Sequence, residues 1–400
     1  MAWNHQNEWV KGSHSKQTIG LFEQIRSLFG EQANQFFLRC MNDRLSQVCL
    51  IDPSLAFENI ATQFSSKLFQ DIYLTTPPQW DSSDKALEQE ILLHFSHWAE
   101  AWAHYQIWSI VQKYKSSKQA DETLSQYIAQ LPLDEVHYQD KMIHNVEQCS
   151  EWYYTIYAPT PMTLGHALAL INLSTLVVDQ EWYEILEHID LSTFGMHFIL
   201  SYQNEQLAYP VILSSAKVNT HNTAQDWLYF STFFQNRHWA PEQCDKPIKQ
   251  LQHAGLLQQG QILSPNDIAE FDRSLWNRQS RPQQSCEIIR LTVSGSTTQK
   301  LFFLYLSQKR LMQRLVEHDF LLAFVVIEQP LMIHYYKSLA NGAYYTFGSC
   351  IIANSNHPTY KGVWVVKQLN SALSESSFRQ YKQQTFSQLR HTRSKELNHA

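Results

Sequence analysis

The chain has 400 residues, 44% of them hydrophobic, which is enough for two or three domains at about 150 residues each around a substantial core. Its 31 Lys and Arg against 37 Asp and Glu leave a net charge of −6, which argues against broad binding to nucleic-acid phosphates or to an anionic membrane. Glycine is scarce at 11 residues, and with no G-x-G-x-x-G or G-x-x-x-x-G-K-[ST] run the pattern points away from Rossmann dehydrogenases and P-loop NTPases.

Met1 to Gln17 is polar and lacks the apolar core of a signal peptide, and no apolar run long enough for a membrane span follows. The cysteines at 40, 49, 149, 244, 286 and 350 form no C-x-x-C pair, so neither a zinc ribbon nor a disulfide framework is expected. A cytoplasmic protein without stable membrane insertion fits both observations. Residues 1–150 read as a helical N-terminal region, because apolar positions recur at three- and four-residue spacing: Leu21, Ile25, Leu28 and Phe29, then Phe36, Phe37 and Cys40. After the turn residues Thr75–Pro78 and Asp81–Asp84, with Asp84 as N-cap, one helix is expected from Lys85 to Lys115. It carries Glu90, His94, His97, Glu100 and His104. An i, i+4 pair such as Glu90 and His94 can ligate a metal only with help from a facing helix, and a solvated polar face explains the same residues, so no metal is expected.

From residue 151 to 400 the texture changes to alternating helices and strands. Thr163–His188 reads as helix, Met196–Tyr202 and Gln206–Leu213 as an antiparallel hairpin, and the aromatic stretch Ala224–Arg237 as helix. Trp239–Pro282 reads mainly as loop with short helical pieces. A strand at Ser285–Val293, a helix at Thr298–His318 capped by Thr297 or Thr298, and a doubly covered strand at Leu321–Glu328 follow. Pro330 opens a helix to about Ala340, strands are expected at Tyr344–Ala353 and Gly362–Leu369, and the tail from Ser371 is helical or frayed. The fold class is α+β.

Cys286-Glu287-Ile288-Ile289-Arg290-Leu291 sets a carboxylate and a guanidinium three apart on a strand. On a regular strand such residues face opposite sides, so they share a pocket only if a bulge interrupts the pleat. Without one, the pattern is an ordinary strand with Arg290 in a surface ion pair. Further on, Leu321–Glu328 is followed by Pro330-Leu331-Met332-Ile333-His334-Tyr335-Tyr336-Lys337-Ser338-Leu339. Read by itself, Tyr336 there is a half-buried helix aromatic packed on the sheet. The loop Ser294-Gly295-Ser296-Thr297-Thr298 can hold one phosphate at a helix N-terminus or be a simple capped turn.

The element order and these motifs resemble the GNAT acyltransferase fold, a mixed, splayed sheet flanked by helices that takes the pantetheine arm of an acyl carrier between two central strands. Glu287 and Arg290 resemble the W-E-x-x-R pattern of acyl-homoserine-lactone synthases, with Cys286 in place of the bulky aromatic, and Tyr336-Lys337-Ser338-Leu339 resembles the family's strand-following helix. With its helical N-terminal region the chain looks most like the larger LuxM/AinS type. It departs from the smaller LuxI type before and within the first hairpin: Pro210 stands where an Arg-Leu is expected, and of the aspartates only Asp179 and Asp190 lie nearby.

The resemblance implies an acyltransferase that makes an N-acyl-homoserine lactone, a quorum-sensing autoinducer. S-adenosylmethionine is a substrate rather than a resident cofactor, and the acyl donor is acyl carrier protein or acyl-CoA. In that reading Glu287, Arg290 and Tyr336 are catalytic. Trp182 lines the S-adenosylmethionine pocket, and Phe302, Tyr305, Val325 and Ile327 line the acyl slot. The rival readings are a GNAT-type N-acyltransferase acting on another amine, and a non-catalytic binding protein.

Overall fold

The computed structural model describes residues 15–51, 53, 83–115, 120–121, 123–183, 186, 191, 194–235, 239–242, 244–260, 267–327, 330–339, 342–351 and 358–386. The turns expected at Thr75–Pro78 and Asp81–Ser82, the end of the helix expected to reach His188, Asp190, Glu328, Ala340, Ala353 and the last residues of the tail lie outside them. The chain separates into two compact units, one of residues 1–131, 146–194 and 202–212, the other of residues 132–145, 195–201 and 213–400. The strands run in chain order as β1 (Tyr138–Ile143), β2 (Trp152–Thr155), β3 (Ala158–Thr163), β4 (His197–Tyr202), β5 (Val211–Thr220), β6 (Ala240–Pro241), β7 (Ser285–Val293), β8 (Leu322–Ile327), β9 (Tyr344–Ile351) and β10 (Pro358–Val365).

The first unit is built on the helices Lys16–Phe29, Ala33–Ile51, Lys85–His94 and Trp98–Lys115. Phe22 is buried there, stacked on Phe95, edge-on to Tyr105 and tilted against Trp108 at centroid distances of 5.7–5.8 Å. The single helix expected from Lys85 to Lys115 is broken at Phe95, whose backbone is extended. The break is written in Ser96 and His97: the Ser96 N–H donates to Glu100 Oε2 at 2.6 Å, and the Glu100 N–H donates to His97 Nδ1 at 3.2 Å, so a new helix is capped there. Asp84 precedes the first helix without capping it; its carboxylate instead accepts from Arg39 at 2.9 Å, and the same guanidinium reaches Glu88 at 3.0 Å. The break also separates His94 from His97 and His104, and among the described residues no cluster of three or more His, Cys, Asp or Glu is placed to hold a metal. Strands β2 and β3 form a hairpin in this unit, and β2 runs parallel to the first residues of β5, Val211 and Ile212.

The sheet of the second unit is ordered β1-β4-β5-β7-β8-β10-β9-β6. It is mixed: β7 and β8 are parallel, while β5/β7, β8/β10, β10/β9 and β9/β6 are antiparallel. The second strand of the expected hairpin starts only at Val211, because Asn204 Oδ1 accepts the Gln206 and Leu207 N–H groups at 3.0 Å in a turn and Pro210 has no N–H for a ladder. The helix Thr297–Glu317 is capped by Ser296 rather than by Thr297 or Thr298, with Gln299 Oε1 accepting the Ser296 N–H at 2.9 Å in a capping box. Strand β10 covers Pro358–Val365, and the residues expected to extend it to Leu369 begin the helix Val366–Glu375. Within the stretch expected to be mainly loop with short helical pieces, the helices are Asp245–His253 and Ile268–Asn277. Among the described residues no helix is long and apolar enough to cross a membrane.

Gly362 marks the tightest approach in this sheet. A Cβ there would collide with the Tyr345 carbonyl oxygen and stand 2.7 Å from the Tyr344 ring. Gly362→Ala is therefore expected to destabilise by about 1–3 kcal/mol, since the obstacle is backbone and cannot swing aside. Thermal unfolding of the variant against the parent measures it.

Candidate active site

Strands β7 and β8 pair over Ser285–Ile288 and Leu322–Val325, and the pairing ends there although β7 continues to Val293. The cause lies on the other edge of β7. Opposite β5, Ser215 pairs with Thr292 and Lys217 with Ile289, so Ala216 alone faces Arg290 and Leu291. Arg290 takes the left-handed conformation with φ 57°. A bulge with its first residue in that region bends and over-twists its strand, which turns β7 away from β8 beyond Ile288. The bulge expected from the Glu287–Arg290 spacing is present, at Arg290 itself.

Glu287 is 1% exposed, on the face of β7 covered by the short 3₁₀ turns between His221 and Gln235. That aromatic stretch was expected to be an α-helix. Extended backbone at Trp227 and Ser231 breaks it into single turns, and the rings of Trp227, Tyr229 and Phe230 settle on Phe324, the residue beside Glu287 on β8. Turning the backbone this way frees N–H groups to point inward. The Tyr229 N–H donates to Glu287 Oε1 at 2.6 Å, and Asn219 Nδ2, from β5, donates to Oε2 at 2.7 Å. Burial raises the Glu287 carboxyl to about 7, opposed by the Asn219 amide, the Tyr229 and Leu228 N–H groups and the charge of Arg290. The structure thus brings Arg290 into electrostatic reach of Glu287.

The other expected site residues are distributed as follows. Tyr336, on the helix Pro330–Ser338, is buried among Tyr335, Tyr344 and Trp364 at 5.3–5.7 Å, a ring cluster other than the one over Glu287, and burial holds its hydroxyl well above the usual phenol range. Val325 and Ile327 lie on β8, the first at the end of its pairing with β7 and the second beyond it. Phe302 and Tyr305 lie on the helix Thr297–Glu317 with their rings against Phe378, and the Tyr305 hydroxyl donates to Glu135 at 2.8 Å. Trp182 is a buried residue of the first unit.

Four residues around Glu287 went unnoticed in the sequence: Asn219, Tyr229, Lys361 and Asp272. Lys361, on β10, and Asp272, on the helix Ile268–Asn277, form an ion pair with both side chains 0% exposed. Lys361 Nζ also donates to the Phe234 carbonyl at 2.9 Å and stands 4.1 Å from the centre of the Tyr229 ring. Burial pulls the Lys361 amine down and pushes the Asp272 carboxyl up, and each partner opposes the shift of the other.

The raised Glu287 carboxyl ties stability to pH. Below about 4.5 Glu287 is protonated in both folded and unfolded chains; between 4.5 and about 7 the folded chain keeps a proton that the unfolded chain has lost. Stability is therefore fully present at the acid side of this window, declines as pH rises through it, and levels off above about 7. The Glu287 contribution to this loss is about 3 kcal/mol at 1.4 kcal/mol per pH unit. Denaturant unfolding of the parent and of Glu287→Gln at pH 5 and pH 8 is expected to show that decline in the parent and a correspondingly smaller one in the variant.

No solved structure matches this chain. Among curated proteins, the acyl-homoserine-lactone synthase OpaM of Vibrio parahaemolyticus is 28% identical over 358 residues, covering 90% of this chain and 89% of the relative. The acyl-homoserine-lactone synthases LuxM of Vibrio atlanticus and Vibrio harveyi are likewise 28% identical, over 88% and 92% of this chain and 88% and 91% of their own lengths. The profile of the acyl homoserine lactone synthase family matches residues 14–394, and with a match of that extent the chain belongs to this family of autoinducer-synthesising acyltransferases.

Proposed function

We propose that the reaction runs on the bulged edge of β7, with Glu287 as general base. The supporting observation is a carboxyl held by two aimed donors and set at about 7. A group at that value is half ionised near neutral pH, where the product of basic fraction and proton affinity is largest. The two donors occupy one lone pair on each oxygen, and a carboxylate has about four acceptor positions, so capacity remains for a substrate amine.

The substrates are S-adenosylmethionine and an acyl thioester on acyl carrier protein or coenzyme A, met in the cytoplasm. Glu287 takes a proton from the ammonium of S-adenosylmethionine, directly or through one water. The freed amine nitrogen forms a bond to the thioester carbonyl carbon, the C–S bond breaks, and the second proton lost by the nitrogen as the amide forms passes to the departing sulfur, which leaves as the thiol. The carboxylate of the same substrate then attacks its own methylene carbon next to the sulfonium. The C–S⁺ bond breaks, methylthioadenosine leaves and the lactone closes; this second step consumes no base.

The parting strands β7 and β8 supply the slot for the thioester arm, with Val325 and Ile327 on its β8 side. An N–H that the bulge takes out of the ladder serves the tetrahedral oxyanion, and Arg290 orients Glu287 or meets a substrate carboxylate. Phe302 and Tyr305 extend the apolar lining for the acyl tail. Tyr336 assists the departing thiolate, which at a thiol pKa of about 8.5 needs little help.

Glu287→Gln is expected to lower lactone formation by about 10²-fold or more, within the range for acid–base groups. Tyr336→Phe is expected to cost less, about 10-fold. Mass spectrometry of lactone made by purified variants, each with thermal unfolding close to the parent's, measures both. In the parent the rate should rise with pH and flatten above about 7. A folded Glu287→Gln enzyme working at the parent's rate overturns the base assignment.

A further inference from the structure

The ion pair of Lys361 and Asp272 has no part in the reaction as drawn, and its position relative to Glu287 gives it one. A fully buried ion pair is a poor device for stability, since desolvation of both ions offsets most of their attraction. What this pair does have is geometry. Lys361 is held by Asp272 from one side, stands 5.8 Å from the centre of the Trp239 ring, and makes two contacts to the 3₁₀ turns that cover Glu287: a hydrogen bond to the Phe234 carbonyl at 2.9 Å and a cation–π contact to the Tyr229 ring at 4.1 Å. Gln235, next in the chain, donates to Asp272 at 3.4 Å. Tyr229 is therefore fixed at its ring by Lys361 while its own N–H meets Glu287 Oε1 at 2.6 Å.

We infer that Lys361, locked by Asp272, is a positioning residue of the reaction: it anchors the turns around Tyr229 so that the Tyr229 N–H is aimed at the Glu287 carboxylate. The inference rests on Glu287 being the base. The lysine sits on β10, in register with Val326 of β8, and so spans β8 to act on a residue of β7. Besides Lys361, the titratable or charged groups acting on this site are Arg290 and Cys286 on the strand of Glu287, Tyr229 in the covering turns, and Asp272, Tyr344 on β9 and Cys244, all three of which act on Tyr229. Removing Lys361 takes away a nearby positive charge and loosens an N–H donor, and both changes disfavour the ionised carboxylate.

The test compares the parent with Lys361→Met and with the double variant Lys361→Met, Asp272→Leu. The double variant removes the anchor without stranding a lone buried charge and serves if the single one fails to fold. Amide hydrogen exchange at Tyr229 and at Phe324 is read alongside the pH dependence of lactone formation. The expected result is Tyr229 exchange faster by 10-fold or more, Phe324 exchange within 2-fold of the parent, kcat reduced more than KM is raised, and the rising limb of the pH profile displaced upward by at least half a pH unit. Tyr229 exchange at the parent's rate in a folded variant overturns the inference, whatever the pH profile does. Faster Tyr229 exchange with an unmoved pH limb supports the anchor and overturns the assignment of Glu287 as base instead, so the two readings fail separately.

Discussion

The left-handed backbone at Arg290 is the constraint from which the site follows. A non-glycine residue in that region is sterically disfavoured and persists only where its surroundings over-determine it. Here the surroundings are a sheet that pairs β7 with β5 on both sides of the irregularity, from Thr220 and Cys286 at one end to Ser214 and Val293 at the other. With both ends pinned, the extra residue has to be absorbed locally, and the strand bends. The bend has two effects. It ends the pairing of β7 with β8 after Ile288, and it lets a side chain three residues from Glu287 act on the same carboxylate.

The second determinant is what covers that face. Glu287 is placed among Trp227, Tyr229, Phe230, Trp276 and Phe324, rings that meet one another at 5.1–5.9 Å. An isolated carboxylate in such a place would stay protonated at neutral pH. The Asn219 amide, the Tyr229 and Leu228 N–H groups and the charge of Arg290 bring it back to about 7 rather than to an ordinary carboxylate value, so the site balances a large penalty against several smaller attractions. A balance of this kind responds to each contributor, which is why an anchor two strands away has influence on it.

Much of the framework could be read from periodicity. The helix Thr297–Glu317, strand β8, the helix from Pro330 and strand β4 stand within a residue or two of their expected bounds, because each carries a long or uninterrupted pattern. The bulge was legible in a different way: a carboxylate and a guanidinium three apart make chemical sense together only if the pleat is broken. Short strands were not legible. Strand β1 lay within the region read as helical, and β2 has four residues with no alternation to count; each exists because a neighbouring strand supplies its hydrogen bonds. The partners of Glu287 were hidden for the same reason. Asn219 and Tyr229 lie 68 and 58 residues away in sequence, and Lys361 lies 89 from Asp272, so no local spacing connects them. An inward-facing lysine in a strand is a signal of sorts, but its meaning depends on the partner the fold provides.

In the proposed reaction, with Glu287 as base, burial of that carboxylate has a consequence for the substrate amine it would deprotonate. The proton to be moved starts on an ammonium and ends on a carboxylate, so the reactants of that step are two ions and its products are two neutral groups. In water both ions are well solvated and the ammonium keeps its proton by several pH units, since an amine is far more basic than a carboxylate. In a pocket of low polarity the charged form of each group is penalised: the amine becomes a weaker base and the carboxylate a stronger one. The two shifts act in the same direction, and they add in favour of the neutral amine that attacks the thioester. Glu287 shows the carboxylate half of this effect in the free protein, where its own burial already carries it from 4.5 to about 7. The remaining half is supplied when the substrate's ammonium leaves water, so a site too polar to raise Glu287 would also be too polar to deprotonate its substrate.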